Sequence, residues 1–137
     1  MKTFVVDLPD YLDKRVRQSL SPNGRVGWAR RQRVTRTVRT AAFYEFLRLL
    51  PLGTKLSAVR ATMSVQASFP SAALMDDDNV WAMLKPARDG IADLLWPDKP
   101  KARADEDISA GTIAMENGRS LPYFRLVVEV YESEDRG

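Results

Sequence analysis

The chain has 137 residues, 45% of them apolar and 28% charged, which suits one globular domain able to bury its own core. It contains neither cysteine nor histidine, which excludes disulfides, thiolate metal sites, His-ligated zinc and His-dependent triads or dyads. The net charge of +3 conceals a segregation: Lys14 to Arg39 holds nine bases and no acid, leaving twelve bases against eighteen acids elsewhere. Such separation predicts a polyanion-binding face on a protein whose other surfaces repel polyanions; a solvated arginine-rich helix is the plainer alternative.

Thr3 to Leu8 is short, apolar and β-branched and stops at Pro9, as an opening strand does. The same segment is too short, and too interrupted by Asp7, to be a signal peptide. No run approaches the roughly 18 apolar residues needed to span a membrane, so a cytoplasmic location is expected. Ser21-Pro22-Asn23-Gly24 is a strong turn signal. From Trp28 to about Leu50 the spacing predicts a helix, with Val34, Val38, Ala41, Ala42 and Leu49 sharing one face and Arg30, Arg33, Arg36 and Arg39 at neighbouring helical positions. Trp28 itself is expected to anchor in the core, as tryptophans usually do. Pro51-Leu52-Gly53 ends that helix.

Val59, Ala61, Met63 and Val65 then alternate with Arg60, Thr62, Ser64 and Gln66, which predicts a strand with one wet face, closed by Pro70. Val80, Met83, Leu84, Ala87, Ile91, Leu94 and Leu95 predict a second amphipathic helix from Asn79 to Leu95, running through Pro86 and Gly90. The polar stretch from Trp96 to Asp107 is expected to be a loop. Ser109–Met115 and Tyr123–Tyr131 predict two more strands, the last burying Phe124, Leu126, Val128 and Val130. The Asn117-Gly118 step between them suggests a hairpin with a type I′ turn, and residues 132–137 are expected to form a frayed polar tail. This order indicates an α/β or α+β fold: a single domain over residues 1–137, with a small mixed sheet packed by two main helices.

Asp76-Asp77-Asp78-Asn79 stands just ahead of the second helix. In an extended lead-in, Asp76 and Asp78 would project to one side, and paired carboxylates repel unless a cation sits between them. With oxygen as the only donor type, that cation would be Mg²⁺, Mn²⁺ or Ca²⁺, with Mg²⁺ the obvious resident. The alternative is ordinary helix capping, for which one Asp or Asn suffices. A two-metal site needs further acids, for which the candidates after the helix are Asp98, Asp105, Glu106 and Asp107. A continuous helix would strand Asp98 about 25 Å away, so Asp105 is preferred and Asp107 second, with a plain wet loop as the alternative. Lys85 could neutralise charge on a reacting phosphate or simply be a solvated helix lysine. Arg25, Arg30, Arg31, Arg33, Arg36 and Arg39 are suited to phosphate contacts, which give affinity without sequence information.

Three segments resemble the RusA-type Holliday-junction resolvases and their phage and prophage relatives. Leu20-Ser21-Pro22-Asn23-Gly24-Arg25-Val26-Gly27-Trp28 is similar to the Pro-Asn-x-Arg…His-Trp opening of that family, with Gly27 where histidine is common. Asp76-x-Asp78-Asn79 matches its Asp-x-Asp-Asn motif, and Leu84-Lys85-Pro86-Ala87-Arg88-Asp89-Gly90-Ile91-Ala92-Asp93 is similar to the Leu-Lys-x-x-x-Asp-Gly-(Ile/Val)-Ala-Asp stretch of the phage branch. The resemblance implies a Mg²⁺-dependent endonuclease that acts as a homodimer and cuts branched DNA in paired, symmetric fashion. Asp76 and Asp78 would be metal ligands, completed by an acid after the helix, with Asn79 supporting the turn. Two positions depart from the pattern. Ala82 stands where many members have a lysine, with Lys85 one turn further on. The segment in which an Asp-Asp pair is usual is here enriched in Lys, Pro and Arg. A non-catalytic DNA or junction binder, and a phage assembly protein with charge-segregated subunit contacts, are the competing expectations.

Overall fold

The structure is a computed structural model and describes residues 1–133. Four strands form one mixed sheet: β1 (Lys2–Asp7), β2 (Ala58–Phe69), β3 (Ile108–Asn117) and β4 (Tyr123–Glu132), in the order β1-β4-β2-β3. The β1/β4 and β4/β2 pairs are antiparallel and β2/β3 is parallel. Five helices accompany the described strands: α1 (Lys14–Leu20), α2 (Trp28–Leu49), α3 (Asp77–Met83), α4 (Lys85–Leu95) and α5 (Pro100–Asp107). The fold is therefore α+β with a mixed sheet.

Alternation decides the sheet. Ala61, Met63, Val65 and Ala67 of β2 and Phe124, Leu126, Val128 and Val130 of β4 are all buried on one face, where α2 and the α3–α4 pair cover them. Val59 falls in phase with them but is exposed, at the start of the strand. Being apolar at every second position, β4 takes the centre of the sheet between β1 and β2. β3 is rich in small and polar residues and takes the edge. The expected β3–β4 hairpin therefore does not form, because β2 lies between the two strands. Gly118 serves a different purpose from a type I′ turn: a Cβ there would come within 1.8 Å of the Ser68 hydroxyl, so glycine lets the connection cross the end of β2.

The second helix is two helices. Pro86 lacks the N–H that would bond to Ala82, and its ring crowds that carbonyl, so the chain breaks at Leu84, which ends α3 and caps α4. The stretch expected to be a loop contains α5, in which Pro100 sits in the first turn and good helix formers follow. Tertiary contacts hold α5 in place. Ala104 is buried, Arg103 donates to the Val59 carbonyl at 2.8 Å and lies over the Trp96 ring, and Arg88 pairs with Asp105 at 2.9 Å. α1 was not signalled by apolar periodicity; Asp13 caps it by accepting from the Arg15 amide at 2.8 Å. Glu132 is not frayed, since it ends β4 and pairs with Lys2 at 3.4 Å, while residues 134–137 of the expected tail lie outside the described residues.

Two contacts fix α2 against the rest. A Cβ on Gly90 would meet the Arg39 backbone carbonyl at 2.3 Å, so the helices touch backbone to backbone there. Three residues on, Asp93 accepts two hydrogen bonds from the Arg39 guanidinium, both 2.6 Å, a bidentate fork that holds Arg39 in its charged form. On the opposite side of α3–α4, the buried Tyr11 hydroxyl donates to the Met83 carbonyl at 2.7 Å, and burial followed by the Asp10 charge pushes this phenol far above its ordinary range.

Gly90→Ala forces α2 and α4 apart and should cost about 1–3 kcal/mol, read as a lower denaturant midpoint. An unchanged midpoint would contradict the close crossing. Tyr11→Phe leaves a buried carbonyl unpaired and should cost about 1–3 kcal/mol with little change in the denaturant slope.

Candidate nucleic-acid interface and acidic cluster

The acidic cluster stands where α3 begins. Asp76 is the N-cap residue, with extended backbone, and Asp77 and Asp78 lie in the first turn. Asp76 and Asp78 therefore do not share an extended lead-in, because the helix starts between them. All three carboxylates are exposed, and none forms an ion pair or side-chain hydrogen bond among the described residues. Although Asp76 occupies the capping position, its side chain accepts no helix N–H. The plainer use for this carboxylate is thus not made. Asn79 faces the Ser21–Gly24 turn, its side-chain oxygen 3.5 Å from the Asn23 amide nitrogen, which brings the start of the basic segment up to the cluster.

The other candidate acids are placed differently. Asp105 pairs with Arg88 of α4, beyond the break at Leu84, and not with any residue of the α3 cluster. Asp107 pairs with Arg103 at 2.5 Å as a charge contact rather than a directed hydrogen bond. Asp98 is exposed in the turn after α4. Among the described residues no group of three or more acids is arranged to hold a metal ion. The donors at the cluster are nonetheless of the right kind for a hard cation. Mg²⁺ is commonly held by one or two carboxylates, water and substrate phosphates rather than by a complete protein cage.

The basic segment divides into two groups. Arg17 donates to the Tyr11 carbonyl at 2.8 Å and lies over the Phe69 ring, and burial lowers its pKa. Arg31 donates to the Ser21 and Gly24 carbonyls at 3.1 and 3.2 Å and so holds the turn. Arg39 is engaged by Asp93. Arg31 and Arg39, expected to meet phosphate, are thus partly committed to the fold. Arg25, Arg30, Arg33 and Arg36 are exposed and form no ion pairs among the described residues. Trp28 joins them: it is 76% exposed, against the expectation of a core anchor. It precedes Val38, the first fully buried residue of α2, by ten positions, so about 15 Å of helix separates it from the core.

Between α2, α4 and α5 lies a cleft of about 450 Å³ lined by Arg31, Gln32, Thr35, Arg39, Ala82, Lys85, Asp89 and Lys101, among others. Asp78, Ala82, Lys85 and Asp89 follow one another at helical spacings of four, three and four residues, so the acidic cluster and the cleft follow one side of α3–α4. Ala82 and Lys85 line the same space, as a lysine one turn further along requires if it is to reach what a lysine at residue 82 would reach. Burial raises the Asp89 carboxyl pKa, opposed by Arg39, Arg88 and Lys85. Lys101 was missed by sequence reasoning because its segment reads as an unstructured polar loop. On the other side of α3–α4 a recess of about 60 Å³, lined by Trp81, Leu84, Arg88 and Ser109, has room for little more than water. No helix among the described residues is long and apolar enough to cross a membrane.

No family model matches the chain, and no solved structure matches it. It is similar to an uncharacterized protein of Xylella fastidiosa (strain Temecula1 / ATCC 700964), 41% identical over 80 residues, which covers 57% of this chain and 52% of the relative. The matched region thus spans about half the length of that relative.

Proposed function

We infer that this protein is a Mg²⁺-dependent, structure-selective endodeoxyribonuclease acting on branched DNA as a homodimer, as the resemblance to the RusA-type resolvases implies. The observation that carries the reading is the acidic cluster: three consecutive exposed carboxylates at Asp76, Asp77 and Asp78, without ion pairs among the described residues, with Asp76 at a helix cap it does not use and Asn79 against the Asn23 turn that leads into the basic helix. Carboxylates grouped in this way would suit a hard divalent cation, which is commonly held by one or two carboxylates together with water and substrate phosphate.

In this reading Asp76 and Asp78 hold the ion, which supplies an activated water and charge neutralisation at the phosphodiester. Asn79 and Asn23 keep the turn against the cluster, and Lys85 neutralises charge from the same side. The exposed arginines Arg25, Arg30, Arg33 and Arg36 position the DNA backbone. Asp105 serves as a ligand only if its pair with Arg88 is released. A non-catalytic junction binder remains the second reading, favoured by Ala82 at the position where the family commonly has lysine.

Asp78→Asn should lower Mg²⁺-dependent cleavage of a labelled four-way junction on the order of 100-fold while leaving junction affinity in place. Asp105→Asn should be much milder, and equal losses would show that α5 rearranges to deliver its acid. Cutting by neither wild type nor variants, with tight binding by all, would favour the non-catalytic reading. Changing Arg30, Arg33 and Arg36 together to Ala should weaken junction binding and flatten its dependence on salt by about 0.9 in log–log slope for each phosphate no longer neutralised. An unchanged slope would remove this helix face as the DNA surface.

A further inference from the structure

The cleft between α2, α4 and α5 contains cations that the fold does not consume. Lys85 and Lys101 line it from different helices, both exposed, and neither is in an ion pair among the described residues. Gln32 and Thr35 of α2 add neutral hydrogen-bonding groups along one wall, and the short side chain of Ala82 leaves the space open. Asp89 is the acid lining the cleft. It is half-buried and flanked by Arg39, Arg88 and Lys85, so the cleft remains cationic with this carboxylate ionised.

Lys101 is held firmly at this position. Its helix is pinned by the Arg88–Asp105 pair, by Arg103 on the Val59 carbonyl and the Trp96 ring, and by the buried Ala104. Trp96 is fixed in turn by its indole N–H, which donates to the Ala58 carbonyl at 2.9 Å. A lysine on a loop would have to be ordered on binding, at the cost of backbone and side-chain entropy. One on a clamped helix presents its charge at a defined place.

We propose that this cleft is a second DNA-backbone site, in which Lys101 of the α5 insertion and Lys85 of α4 grip one phosphodiester strand beside the acidic cluster. The proposal rests on the nuclease reading for the identity of the polyanion, and it assigns α5 a role in binding DNA instead of supplying a metal ligand. The strand enters along the exposed arginines of α2 and passes between Gln32 and Lys101 towards Asp78.

The test is binding of a labelled four-way junction by full-length Lys101→Ala over a series of salt concentrations, beside wild type, the Arg30/Arg33/Arg36 triple variant and Lys2→Ala as a remote control. Lys101 has no ion pair or hydrogen-bond partner among the described residues, so its variant should keep the wild-type melting temperature. The expected result is affinity lowered several-fold and a salt slope reduced by about 0.9, equivalent to one phosphate, with Lys2→Ala unchanged. A slope unchanged by Lys101→Ala but flattened in the triple variant overturns the cleft while sparing the nuclease reading. Absence of junction binding by wild type overturns both. Inorganic phosphate that displaces the junction from wild type but not from Lys101→Ala, at fixed ionic strength, would put a free anion in the cleft and overturn the proposal.

Discussion

The approach of α4 to α2 at Gly90 is the constraint on which the other features depend. With no side chain at that position, the Arg39 carbonyl rests almost on the α4 backbone, and the Arg39–Asp93 fork fixes the crossing one turn further on. This contact sets the separation of the two helices along their length. Where they diverge, towards the start of α4, the cleft opens and Lys85 faces the arginine helix. The break at Pro86 divides this stretch in two, and the exposed carboxylates stand at the start of the shorter helix, α3.

Much of the fold follows from local pattern. The alternation in β2 and β4 is a property of single segments and reads correctly because burial has one dominant direction in each. Of the predicted α2 face, Val38 and Ala42 are fully buried and Val34, Ala41 and Leu49 half-buried, while the buried Phe46 lies outside that set. Strand order is not local. Asn117-Gly118 between two strands has the chemistry of a tight hairpin, yet the more apolar β4 displaces β3 from its side, and the glycine instead serves the crossing over Ser68. α5 was hidden for a related reason: its sequence lacks an apolar stripe, and tertiary contacts made by Arg103, Ala104 and Asp105 hold it.

For the site, residue types were more legible than their assignments. Nine bases without an acid mark a basic segment, but charge cannot say which bases the fold will use. Arg17, Arg31 and Arg39 hold carbonyls, an aromatic ring and a carboxylate, whereas Arg25, Arg30, Arg33, Arg36 and Trp28 stay exposed. Similarly, Asp105, Glu106 and Asp107 look like spare acids, whereas Asp105 and Asp107 complete ion pairs with Arg88 and Arg103. Among the described residues Asp98, Glu106 and Glu116 are exposed and free of ion pairs, as are Asp76, Asp77 and Asp78. What separates the last three is that their carboxylates stand consecutively at the start of one helix.

If Asp76 and Asp78 hold a hard divalent cation, as proposed, Mn²⁺ bound there will broaden nearby backbone amide resonances. Substoichiometric Mn²⁺ should broaden the amides around Asp76–Val80 first, and excess Mg²⁺ should restore them. Broadening centred on Asp105–Asp107, or none that Mg²⁺ reverses, would contradict the assignment.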